Sequence, residues 1–171
     1  EIGHGITVER DAEGRATGKL LGGIGPFNAL FEQLADLSDQ QRKDSLQAFF
    51  AELNASGLTG VIDPSAGPPA AYLPLFDLRQ QDALSLRVGY RIPAMGADDP
   101  SDWFHSMMAF RPPHTDDGML PFLGLGENLV FQMNDGVTMG PGFAPDQAAE
   151  DELVEVADFA ARRHIPVEIH A

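Results

Sequence analysis

Four short apolar segments of this chain stop at polar or charged residues, three of them of types able to bind a metal or move a proton. The first ends in Asp63, the second in Arg91, the third at Asn134-Asp135-Gly136 and the last in His170. A neutral imidazole nitrogen is a zinc ligand, and carboxylates bind or orient such groups. Position matters, because parallel α/β sheets and barrels carry functional side chains at the C-terminal ends of their strands. His170 is the sharpest candidate. A strand-end His bonded to a backbone carbonyl is the plainer reading, and the local pattern alone favours it. Asp63 precedes Pro64 and Ser65, and Asn134-Asp135-Gly136 is a good turn sequence, so turn formation outweighs chemistry at both places.

The remaining candidates are weaker. His105 lies in a helical stretch beside Trp103, Phe104 and Met107, where half-buried packing explains it. His114 follows Pro112-Pro113 and reads as solvated. His164 ends a helix, where the dipole favours a cation. His4 sits near the terminus, and neither HxH nor HExxH occurs. Glu127, beside Gly126, is expected before the third strand and so at the wrong end for a site. Asp98-Asp99 and Asp116-Asp117 lack the spacing of a calcium loop. No GxGxxG follows a strand, no GxxxxGK[ST] occurs, and Gly124-Leu125-Gly126 is too short to count as a nucleotide motif.

These residues need elements to hold them. Two polar-alternating runs around Ala12-Glu13-Gly14 predict a hairpin over residues 6–21. Gly22, Gly23, Gly25 and Pro26 are expected to break regular structure. A helix is predicted over residues 38–56. Ser38 and Gln41 have capping-box spacing, Leu46, Phe49, Phe50 and Leu53 make its apolar stripe, and Gly57 ends it. A strand follows to Asp63. Further helices are predicted over 72–81, 98–110 and 146–163, with strands over 84–92, 129–133 and 165–170. Strands alternating with helices imply a parallel sheet covered by helices.

Composition narrows the function. The chain has 171 residues, 11 Lys+Arg against 26 Asp+Glu, and a formal net charge of −15. A chain this acidic lacks the basic face that nucleic acid or an anionic membrane requires. No apolar run reaches the ~20 residues that span a bilayer. With no Cys, a disulfide framework, a thiolate zinc site and a thiol nucleophile are excluded, and any metal would have N and O ligands. A cytoplasmic location is expected.

Three segments, in order along the chain, resemble a known family. Residues 8–18, VERDAEGRATG, are similar to the "RDADGRPTG" segment of the amidohydrolase-3 branch of the metal-dependent amidohydrolases. Residues 53–63, LNASGLTGVID, resemble its "LNxxGITSVxD" strand, and residues 167–171, VEIHA, its "VxxHA" strand. The resemblance implies part of a distorted (β/α)8 barrel, an α/β fold of TIM type. It also implies a one- or two-metal centre, commonly zinc, that activates water to hydrolyse amide or related C–N bonds. Of the family's ligands, the fifth-strand His maps onto His170, which shifts the balance there toward a metal ligand. Asn134, Asp135 and Asp63 become pocket candidates.

Other features depart from the pattern. The family's "VKxxxDG" aligns with residues 130–136, so Phe131 stands where the family has Lys. A complete barrel takes about 200–250 residues. The chain is therefore expected to be an internal fragment, roughly the second to fifth strands, and inactive alone. In that reading residues 1–22 form a hairpin insertion and 23–171 about four βα units. Open barrel edges would favour self-association. The rival expectation is a non-catalytic, acidic α/β binding or oligomerisation module.

Overall fold

The computed structural model describes residues 5–34, 37–64, 69–94, 99–109, 118–133 and 144–169. They group into two compact units, Glu1–Arg42 and Lys43–Ala171. In the first, β1 (Ile6–Arg10) and β2 (Ala16–Gly22) pair antiparallel, with a slip between Val8 and Arg10. The turn between them is organised by Asp11. Its carboxylate accepts from the Arg15 N–H at 2.8 Å, the Arg15 Nε–H at 2.8 Å and the Glu13 N–H at 3.1 Å. Those contacts, the Arg15 backbone N–H foremost, hold the Asp11 carboxyl below its ordinary range. Gly14 takes φ +81° to complete the reversal.

The Gly/Pro cluster does not break the chain as expected. Helix α1 runs Ile24–Leu34. Pro26 falls in its first turn, where an N–H has no intrahelical acceptor and the fixed φ of proline suits the helix. Gly22 closes β2 against the hairpin's start, where a Cβ would come within 2.7 Å of the Gly5 carbonyl oxygen.

Helix α2 (Asp39–Ala55) opens on the expected capping box. The Ser38 N–H donates to Gln41 Oε1 at 2.9 Å, and the Gln41 N–H donates to Ser38 Oγ at 3.3 Å. Gly57, at φ +85°, ends it, and the Leu58 N–H reaches back to the Leu53 carbonyl at 3.1 Å. Phe50 is buried, with Leu46 and Leu53 packed beside its cluster. Phe49, expected in the same stripe, is exposed.

The second unit is built on β3 (Gly60–Asp63), β4 (Arg87–Ile92) and β5 (Phe122–Leu125), all parallel and in that spatial order. A further segment adds alongside β5, bridging parallel through Leu125 and Val167. Helices α3 (Leu73–Gln80), α4 (Pro100–Ala109) and α5 (Gln147–Arg162) fall between the strands in sequence. α5 starts where expected, the Asp146 carboxylate capping the Ala149 N–H at 2.8 Å. The described strands form an open parallel sheet, and no closed barrel is formed among the described residues. No helix among them is long and apolar enough to cross a membrane.

The third strand is a correction. Residues 129–133, expected as a strand, contain a 3-10 turn at Phe131–Met133, and Leu129 and Val130 are buried core residues just before it. The strand is the earlier Phe122–Leu125. A short apolar run marks burial without distinguishing a strand from another buried segment. Pro121 and Gly124 make the true strand resemble a loop.

The large apolar side chains of β4 all point to one face. Val88 and Tyr90 enter a core with Phe50, Tyr72 and Leu75, and Ile92 enters one with Phe104, Leu125, Val156 and Phe159. The intervening residues face the other way. There Gly60, Ile62, Arg87, Gly89 and Leu123 line a shallow open groove, and Ile62 is 63% exposed.

Candidate functional site

The C-terminal ends of the parallel strands gather the charged residues of interest. β3 ends in Asp63, which is half-buried. β4 ends in Arg91-Ile92, with Ala94 beyond it donating its N–H to the Asn128 carbonyl at 2.8 Å. β5 ends at Leu125, and the Gly126 N–H donates to the Ile92 carbonyl at 3.1 Å. Glu127 therefore follows the strand and lies at its C-terminal end. The expectation that it precedes the third strand is overturned, because that strand lies earlier. Asn128 beside it is buried.

Gly124 and Gly126 seat the last segment against β5. Their φ values are +128° and +134°, a region open to glycine and strained for other residues. A Cβ at Gly124 would collide with the Pro166 carbonyl oxygen, and one at Gly126 with that of Glu168. With both positions bare, the Leu125 N–H donates to the Pro166 carbonyl at 2.9 Å and the Glu168 N–H to the Leu125 carbonyl at 2.9 Å. The Gly-Leu-Gly run is thus no nucleotide motif but the seat of the last segment, where the strand expected over 165–170 reduces, among the described residues, to a single bridge at Val167.

One ion pair crosses this seat. Arg91 Nε lies 2.6 Å from Glu168 Oε2, and Arg91 Nη1 donates to the Leu123 carbonyl at 3.1 Å. The Arg91 side chain is 14% exposed and that of Glu168 46%. Below them the Tyr72 hydroxyl donates to the Arg91 carbonyl at 2.8 Å. Tyr90 packs among Tyr72, Phe76 and Phe122, with ring centroids 5.1–5.6 Å away. Its hydroxyl is buried without a hydrogen-bond partner, and burial pushes the phenol well above its ordinary pKa.

The sequence-predicted residues fare unequally. Asp63 stands at a strand end as expected. Asn134, Asp135 and His170 lie outside the described residues, as do His4 and His114. His105 stacks on Phe159 with centroids 4.2 Å apart, so packing accounts for it, although the residue is exposed rather than half-buried. His164 adopts φ +54° just past α5, its N–H donating to the Ala161 carbonyl. The sequence marks Arg91 as a strand end without giving it a role, and it does not single out Glu168. A charged residue alternating with Val167 and Ile169 is the signal available there.

Among the described residues, no group of three His, Asp or Glu side chains converges as a metal site. Glu168, the acid of the last segment, is engaged by Arg91. The described residues therefore do not make a metal centre by themselves.

A family model described as "Amidohydrolase family" matches residues 2–171 of the chain. No curated protein and no solved structure matches it.

Proposed function

Since the chain belongs to the amidohydrolase family, we propose that it is part of a metal-dependent hydrolase cleaving amide or related C–N bonds of a small molecule. The family match over residues 2–171 carries this reading. The parallel order of β3, β4 and β5, with Asp63 and Glu127 at their C-terminal ends, supports it. In this reading His170 is one ligand of a divalent metal, zinc being the expected ion, and Asp63, Asn134 and Asp135 line the substrate pocket. A metal bound there would polarise the scissile carbonyl and lower the pKa of a water. The chain is one section of a TIM-type barrel, inactive without the remaining strands, and its open sheet edges favour self-association.

The described residues would hold and orient rather than react. Gly124 and Gly126 let the last strand dock, and that strand leads to His170 two residues beyond Glu168. Glu127, placed after β5, would bring a carboxylate to the same end of the sheet.

A second reading is a non-catalytic acidic α/β binding module. Phe131 favours it, because an apolar ring stands where the resembling pattern carries Lys. Metal analysis of the full-length protein, with His170→Ala as control, separates the two. The hydrolase reading expects bound zinc that the substitution depletes. Metal content unchanged by it would remove His170 as a ligand, and a protein that takes up no metal would favour the binding module.

A further inference from the structure

We propose that Arg91 is a positioning residue that fixes the last strand at the functional end of the sheet. Arg91 belongs to β4 and Glu168 to the segment beyond β5, so their contact spans an intervening strand. It can do so because the register partner of Arg91 is Gly124. A Cβ there would sit 3.2 Å from Arg91 Nη1, and its absence leaves a channel for the guanidinium across β5. One end of the crossing is fixed by the hydrogen bond from Nη1 to the Leu123 carbonyl; at the other, Nε lies 2.6 Å from Glu168 Oε2 as an ion pair without hydrogen-bond geometry.

Burial decides whether such a pair matters. Exposed ion pairs contribute little. Here the Arg91 side chain is 14% exposed, so losing Glu168 would leave a largely buried charge without its counter-ion. The last segment is otherwise held to β5 by two backbone hydrogen bonds around Leu125, so Arg91 is a substantial third tie. It acts at Glu168, two residues before His170. The inference rests on the proposed function for what the strand carries, but not for the tie itself.

The test uses the full-length protein and the variants Arg91→Gln, Arg91→Lys, Glu168→Gln and the double Arg91→Gln/Glu168→Gln. Hydrogen exchange of a peptide covering residues 164–169 is read beside zinc affinity from chelator competition. Arg91→Gln should quicken exchange at residues 167–169 about tenfold or more while β3 and β4 exchange as before. It should weaken zinc about tenfold, the usual scale for a residue that orients a ligand from behind. Arg91→Lys should recover part of both losses, and the double variant should be no worse than Glu168→Gln, since no buried charge is left unpaired. Unaltered exchange in Arg91→Gln overturns the inference. So does faster exchange with unaltered zinc affinity. If the unaltered full-length protein binds no zinc, the metal reading fails by itself. Exchange then decides: acceleration in Arg91→Gln with partial recovery in Arg91→Lys supports the tie, and its absence overturns it.

Discussion

Gly124→Ala tests the docking of the last strand most directly. The added methyl collides with the Pro166 carbonyl oxygen, a backbone atom that cannot swing aside as a side chain can. Relief requires the segment to move off β5, which breaks the bonds from Leu125 N–H to Pro166 and from Glu168 N–H to Leu125. Each is worth on the order of 1 kcal/mol net. An alanine held at a φ of this kind adds about 1–3 kcal/mol of backbone strain. The expected loss is therefore about 3–5 kcal/mol. Gly57→Ala is the control. Its φ is +85°, but nothing lies within 4 Å of the place its methyl would take, so only conformational strain of about 1–2 kcal/mol applies. Urea unfolding of both variants gives the comparison. A Gly124→Ala loss no larger than that of Gly57→Ala would refute the claim that backbone contact at this glycine seats the strand.

Further outcomes follow from other parts of the chain. Asp146→Ala should cost about 1 kcal/mol by urea unfolding, because it removes the cap on the Ala149 N–H at the start of α5. Ser38→Ala should cost a similar amount and lower the helical circular-dichroism signal, since it dismantles half of the α2 capping box. Tyr90→Phe should be neutral or slightly stabilising at neutral pH, because the buried hydroxyl it removes has no partner. Tyr90's own contribution to stability should be level below about pH 10, the ordinary tyrosine value, and fall above it. There the unfolded chain releases a proton that the folded chain retains, since burial raises the folded pKa. Tyr90→Phe should flatten that alkaline decline, and an identical decline in both proteins would contradict the assignment.

Much of the local structure is legible in the residues. Ser38 with Gln41 and Gly57 after the α2 stripe are signals that act within a few residues of themselves, and the structure places both as expected. The α1 helix escapes such reading because Gly25 and Pro26 look like breakers, although in a first turn neither disrupts a helical hydrogen bond. The third strand escapes it for a different reason. Residues 129–133 are as apolar as a strand, but apolarity reports burial alone. Glu127 consequently moves from the wrong end of a strand to the right one.

What the sequence by itself determined is the alternation of helices and apolar segments, the acidic character of the chain and its family resemblance. Those properties are local or additive along the chain. Which segment pairs with which was decided only in the tertiary structure. Gly124 and Gly126 owe their role to the carbonyls of Pro166 and Glu168, and Arg91 owes its role to a carboxylate two strands away. No short window of sequence contains both partners of such contacts, because distant residues become neighbours only when the sheet assembles.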